Sequence, residues 1–335
     1  MNVTYLLGAG ASFDALPIVE KIPNALNEVI QKLKNDFSLE SKEIINRKYK
    51  YISDTDVQIK NKLIMDLEWL KLESSRHSSI DTFAKKLYLT YKREDTKRLK
   101  IALSIFFTIY QIDTFGKEKR YDSFLASIFQ NERKFPKEVR MLSWNYDNQF
   151  EIAISDYFDS KNINSLAHDL NMLEKYAIPY PRREDYNFLF KLNGTCGFIE
   201  EDLKKNFLND LKLELNIDSF YEILENYAKT TFNKTEFKST LSFSWEVDSD
   251  SFIQEVNQQL NGTEILVIIG YSFPYFNREV DRKIINSMPN LNKVYFQSPE
   301  ANELVERFQA ITDRIDNSRL IPISDLKQFY IPNEM

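Results

Sequence analysis

Six short apolar runs constrain this chain more than any other feature. They are VTYLL from Val3, VRMLSW from Val139, NFLFKL from Asn187, EILVIIGYS from Glu264, KVYFQS from Lys293 and, more weakly, RLIPI from Arg319. The runs are continuous rather than alternating, as expected of strands covered by helices on both faces. Helical apolar spacing follows four of them, over Ala25 to Leu33, Asn148 to Phe158, Arg278 to Met288 and Glu300 to Phe308. That rhythm predicts an α/β fold, a doubly wound Rossmann-like parallel sheet with ligands at the carboxyl ends of its strands.

Two stretches break the rhythm. From 40 to 130 only helical spacing is found, as in Leu63, Leu67 and Leu70 and again in Ile80, Phe83, Ala84 and Leu87, which predicts a helical insertion. From 200 to 245 the sequence predicts a second, mostly helical insertion, with FNKTEFKSTLSFSWEV ambiguous between helix and strand. The sheet domain is then assembled from 1–39, 131–199 and 246–335. No repeat, low-complexity tract or Pro-rich linker separates these parts, so both insertions are expected to pack on the sheet domain.

Composition closes several function classes. A net charge of −6 argues against a surface that coats nucleic acid, which needs clustered Lys and Arg. A single cysteine, Cys196, builds neither a disulfide framework nor a multi-thiolate zinc site within one chain. No apolar run approaches the roughly 18–20 residues that cross a bilayer, and the N-terminus has no signal-peptide pattern. A cytoplasmic protein without a metal and without membrane contact is expected. Of the 7 glycines, four fall in LLGAGAS and LNGTCG, and clustering of a scarce residue marks places where backbone must come close to something.

Polar segments end four of the expected strands: Gly8-Ala9-Gly10-Ala11-Ser12, Asn145-Tyr146-Asp147, Asn193-Gly194-Thr195 and Gly270-Tyr271-Ser272. One such segment reads as an ordinary turn. Four of them on neighbouring strand ends converge on one crevice, which predicts a nucleotide site. GAGAS with the following LPIV, then WNYDNQFE, KLNGTCG and IIGYSF, together with VYFQSPE, resembles in order the sirtuin superfamily, and within it the SIR2-like branch of prokaryotic immune effectors. The likeness spans the sheet segments, about half of the chain.

This resemblance implies a site for NAD. Gly8, Ala9, Gly10 and Ser12 would run along the pyrophosphate and ribose, Gly270 and Ser272 would hold the phosphate or adenosine ribose, and Gln297 and Ser298 would lie at the adenosine end. Asn145 and Asp147 would lie beside the nicotinamide ribose, with Asn193 where the family carries a histidine. An amide does not take a proton as imidazole does, so Asn193 is expected to hold a ribose hydroxyl or a water. The competing reading of Asn145 and Asp147 is an Asx turn that caps the helix from Asn148. Sirtuin deacylases usually carry a four-cysteine zinc module, which one cysteine does not supply, so the resemblance implies NAD hydrolysis with release of nicotinamide. It further implies an NAD-depleting antiphage effector controlled by a protein partner or by homo-oligomerisation. The rival is a regulatory subunit that binds NAD or ADP-ribose without turnover. A dehydrogenase fits less well, because the first turn lacks the third glycine of GxGxxG.

The remaining candidates have plainer readings. His77 stands before a helix with Ser79 at its N-cap, as a surface residue, unless the helical insertion folds over the crevice and brings His77 or Asp81 to the ribose. His168 reads as a helix residue without a role, Cys196 as a small buried residue, and Lys191 as a solvated strand-end lysine. Tyr146 and Tyr271 are candidates to pack against a base or the nicotinamide ring.

Overall fold

A computed structural model describes residues 1–35, 55–112, 118–129, 135–158, 171–174, 188–200, 205–206, 215–232, 237–246 and 250–335. His168 lies outside them. In chain order the elements are β1 (Val3–Leu7), α1 (Ile22–Asn35), α2 (Asp56–Arg76), α3 (Ile80–Leu89), α4 (Arg93–Ile112), α5 (Lys119–Ile128), β2 (Val139–Ser143) and α6 (Gln149–Phe158). There follow β3 (Leu173–Glu174), β4 (Leu189–Lys191), β5 (Phe198–Glu200), β6 (Lys205–Asn206), α7 (Ile217–Phe232), β7 (Phe237–Ser239) and α8 (Asp250–Leu260). The chain ends with β8 (Ile265–Ile269), α9 (Arg278–Asn286), β9 (Lys293–Gln297), α10 (Ala301–Gln309) and β10 (Leu320–Ile323).

The apolar runs form one parallel sheet in the order β10-β9-β8-β1-β2-β4-β3, its last strand only two residues long. This is a Rossmann-like α/β arrangement. Chain direction across the sheet reverses beside β1, which pairs with β2 on one side and β8 on the other. Register makes the strand ends level: Leu7 lies opposite Ser143 and Ile269, Ser143 opposite Lys191, and Ile269 opposite Gln297. The loops that leave these strands therefore start from one line, and a crevice opens at the reversal.

Alternation along the strands separates two cores. Leu6, Leu142, Phe190, Ile268 and Phe296 share a cluster with Val256 of α8, Ile284 of α9 and Phe308 of α10. Tyr5, Leu7, Met141, Leu189 and Val267 share another with Phe124 of α5, Ile154 of α6 and Phe329 of the C-terminal segment. A third cluster contains Leu26 and Val29 of α1, Leu63 and Leu67 of α2, Phe83 of α3, Phe106 of α4 and Tyr227 of α7. Helical spacing of the buried positions explains each assignment.

This packing cuts across the segments read from sequence. Helix α1, counted with the sheet domain, buries its apolar face in the helical body. Helix α5, counted with the first helical stretch, lays Tyr121, Phe124, Leu125 and Ile128 on the sheet. Helix α7 joins the core of α2 to α4, so described helices from both stretches that break the strand rhythm share one core. The second is not helical throughout: β6 and β7 flank β5 in a small antiparallel sheet. Among the described residues no helix is long and apolar enough to cross a membrane.

Candidate functional site

Two cavities meet at the sheet's carboxyl edge. The larger, about 560 Å³, is lined by Gly8, Ala9, Asp81, Asn145, Asp147, Asn193 and Tyr271, among others. The smaller, about 330 Å³, is lined by Gly10, Phe13, Lys21, Arg120, Gln297, Ser298 and Glu300, among others. Gly270, Tyr271 and Ser272 line both. The volumes fall in the range of small-molecule sites, roughly 300–1,000 Å³ each. The crevice thus has two lobes divided by a ridge.

Backbone builds the ridge. Gly270 has a φ of +60°, and a Cβ there would lie 2.4 Å from the Cα and carbonyl carbon of Gly10. A Cβ at Gly10 would meet the Gly270 Cα at 2.7 Å. These glycines let the turns after β1 and β8 cross in direct contact. Their hydrogen bonds are used in the same crossing: Gly8 N donates to Ile269 O at 3.0 Å, Gly10 N to Gly270 O at 3.0 Å, and Ala11 N to Gly8 O at 2.8 Å. The turn after β1 continues as a short 3-10 segment, Ala9–Ser12, and α1 begins only at Ile22. The amides of Gly8, Gly10 and Ala11 are thus spent within the ridge, and the turn does not run directly into α1. Beyond Gly270, Phe273 also has a positive φ of 51°, a sparsely populated conformation for a bulky residue, and the folded-back loop puts Tyr271 and Ser272 on the ridge.

In the smaller lobe the polar groups are mostly engaged. Arg120, buried, forks onto Glu118, with Nε donating to Oε1 at 2.7 Å and Nη2 to Oε2 at 2.8 Å. The same Nη2 donates to the carbonyls of Gly10 and Ala11, each at 3.2 Å. Gln297 Nε2 donates to Asp325 O and Gln328 O, both at 2.6 Å, and its Oε1 accepts from Tyr330 N at 3.0 Å. The side chain of Gln297 thus anchors the C-terminal segment while lining the lobe. Ser298 Oγ accepts from Glu300 N at 3.2 Å.

The larger lobe differs. Asn145 Nδ2 donates to Gly8 O at 2.9 Å, and its Oδ1 makes no hydrogen bond among the described residues. Asn193 Nδ2 donates to Trp144 O at 2.8 Å, while its buried Oδ1 has no partner among the described residues. Asp147 Oδ1 accepts from Gln149 N at 3.0 Å and from Ser12 Oγ at 3.4 Å, so the Asx turn at the start of α6 is real for Asp147 and not for Asn145. Burial raises the Asp147 carboxyl, opposed by the charge of Lys191. Lys191 is not solvated, as its strand-end position suggested: it is 2% exposed, pairs with Glu151 Oε1 at 3.2 Å and donates to Asp147 O. The partner that makes burial tolerable sits on α6.

Asp81 completes this lobe. Ser79 caps α3, its Oγ accepting from Thr82 N at 3.0 Å, and the capped turn directs Asp81 into the cavity. Burial raises its carboxyl to about 6. His77 stays outside, its Nδ1 2.9 Å from Glu73 O and its ring 4.7 Å from that of Phe83. Tyr271 donates to Asp281 Oδ2 at 2.8 Å, and Trp144 Nε1 donates to Asp281 Oδ1 at 3.2 Å. Its ring stacks on Trp144, with centroids 6.0 Å apart, and the Tyr146 ring meets Phe107 edge-on at 5.2 Å. Both tyrosines therefore serve the walls. Burial raises Asp281 to about 7; its sequence neighbourhood carries no signal for this role, because its partners come from the loops after β2 and β8. Cys196 is buried, as expected, and burial pushes its thiol well up. Among the described residues no group of three or more His, Cys, Asp or Glu could hold a metal ion.

No protein-family model matches the chain, and no curated protein matches it.

Proposed function

We propose that the chain is a SIR2-like enzyme that hydrolyses NAD at the bond between nicotinamide and ribose. The observation that carries this is the two-lobed crevice, with a ridge of crossed glycine turns between a lobe of engaged polar groups and a lobe with unengaged acceptors. A dinucleotide has two such halves joined by a pyrophosphate. Read this way, the sheet is a doubly wound Rossmann-type domain, the helical body is its insertion, and the adenosine half belongs in the lobe of Gly10, Gln297 and Ser298. The nicotinamide ribose belongs with Asn145, Asp147 and Asn193, whose free acceptors suit ribose hydroxyls or water. Glycosidic cleavage builds positive charge on the sugar, which fixed dipoles and carboxylates stabilise without reorganising. Unchecked hydrolysis of NAD would harm a host, so control by a protein partner or by self-assembly in the cytoplasm follows, in keeping with a role in antiphage defence.

The second reading, a binder of NAD or ADP-ribose without turnover, is favoured by Asn193, which takes no proton. Incubating the full chain with NAD, alone and with the products of neighbouring genes, separates the two. Free nicotinamide is the expected result. Retained but unchanged NAD under every condition would establish the binder, and no binding at all would end both readings. Asn145→Ala is expected to lower nicotinamide release at least 100-fold while affinity for ADP-ribose falls much less, since the change removes an orienting amide.

A further inference from the structure

We propose that Asp81 is a catalytic carboxylate of the larger lobe, resting on the NAD reading above: it faces the cationic nicotinamide and receives the proton of the attacking water. Three observations converge. Asp81 lines the same cavity as Asn145, Asp147 and Asn193. It has no ion pair or hydrogen bond among the described residues. And the same cavity holds the buried Oδ1 of Asn193, without a partner among the described residues, an acceptor awaiting a hydroxyl or water.

The groups around Asp81 explain why its charge is uncompensated. Tyr146 faces it from the loop after β2 and Tyr271 from the loop after β8, with Asp147 and Cys196 beside Tyr146. Cations are close in sequence but engaged elsewhere. Lys85 lies over the rings of Tyr88 and Trp245, at 5.2 and 4.9 Å, and Lys86 Nζ is 3.5 Å from His77 Nε2. Lys191 pairs with Glu151. An anion left without a counter-ion in a half-buried cavity is costly unless a ligand supplies the charge. Its carboxyl, raised to about 6, suits a group that is ionised at neutral pH yet basic enough to accept a proton.

The bond between ribose C1′ and the pyridinium nitrogen breaks, and its electron pair leaves on nicotinamide, which becomes neutral. Nicotinamide moves off, and water oxygen bonds to C1′ on the face it has left, the side that Asp81 flanks. The water proton passes to the Asp81 carboxylate and then to solvent, so NAD and water give nicotinamide, ADP-ribose and one proton.

Asp81→Asn, which keeps size and removes charge, is the test. Nicotinamide release is expected to fall at least 100-fold, the ordinary scale of a lost general base, with KM rising by no more than about fivefold. Binding supplies a readout that needs no turnover. Calorimetry at pH 8 should show wild type preferring NAD over uncharged-ring NADH by about fivefold, the scale of one partly solvated ion pair. That preference should vanish at pH 5 and in Asp81→Asn, and return in Asp81→Glu. Wild-type release by Asp81→Asn overturns the proposal and leaves the NAD reading standing, as does an undiminished preference for NAD in that variant. A wild type that binds neither NAD nor ADP-ribose overturns the NAD reading and this proposal with it.

Discussion

The two lobes of the crevice are walled by the same ridge but built on opposite principles. In the smaller lobe Arg120 answers Glu118 and two carbonyls at once, and Gln297 uses both ends of its amide on the C-terminal segment. In the larger lobe Asp81 and the Oδ1 atoms of Asn145 and Asn193 have no protein partner among the described residues. Satisfied networks fix shape, because every member resists displacement. An unsatisfied buried group such as the Asn193 Oδ1 leaves a demand that a ligand meets. The difference teaches that one lobe offers a mould and the other offers chemistry, and that a list of lining residues alone does not distinguish them.

The largest break in this comparison comes from the ridge itself. Gly270→Val would require a branched residue at φ +60° with its Cβ 2.4 Å from Gly10 backbone. No side-chain rotation relieves that overlap, and both turns would have to separate. Loss of cooperative thermal unfolding in the full chain is the expected outcome. A folded variant with a wild-type midpoint would mean that the turns do not cross as described.

How much of this was legible in the sequence differs between the same regions. The strands were legible, since VTYLL, VRMLSW and EILVIIGYS are apolar runs of strand length and form β1, β2 and β8. The ridge was partly legible: scarce glycines marked Gly8 and Gly10, and a polar strand end marked Gly270, but their reason is contact between two turns, and sequence showed each turn alone. Strand β3 was hidden because Leu173–Glu174 is too short to carry a pattern. The burial of Lys191 depends on Glu151 of α6, and the anchoring role of Gln297 on carbonyls of the C-terminal segment. Asp81 was visible as a first-turn residue of a capped helix. That α3 meets the strand ends follows only from how the helical body docks, which local spacing does not encode.

A smaller change tests whether the mould depends on geometry or on charge. Arg120→Lys keeps a cation beside Glu118 but loses the fork and the reach to Gly10 O and Ala11 O. Charge-assisted hydrogen bonds of this kind contribute about 1.5–3 kcal/mol, and lysine does not reproduce the planar fork. Urea unfolding should report a loss of that order. Affinity for ADP-ribose should fall while the preference for NAD over NADH, set in the other lobe, stays. A change confined to that preference would reverse the roles given to the two lobes.

The smallest expected effect probes whether the lobes are separately built. Ser79 caps α3 through Thr82 N at 3.0 Å and touches Thr82 Oγ1 at 2.9 Å, and the turn it closes carries Asp81. Removing an N-cap of this type costs about 1 kcal/mol, within a range of roughly 0.5–2. Ser79→Ala should therefore lower unfolding stability by about that amount without altering the smaller lobe. Its contacts share no partner with those of Arg120, which reach Glu118, Gly10 and Ala11 instead. Losses at sites without shared partners add to within about 0.3–0.5 kcal/mol, so the double variant Ser79→Ala with Arg120→Lys should lose the sum of the two single losses in urea unfolding. A coupling energy clearly above that margin would mean that strain passes across the glycine ridge. In that case the mould and the reactive lobe would form one mechanical unit, and an occupant of the smaller lobe would reposition Asp81.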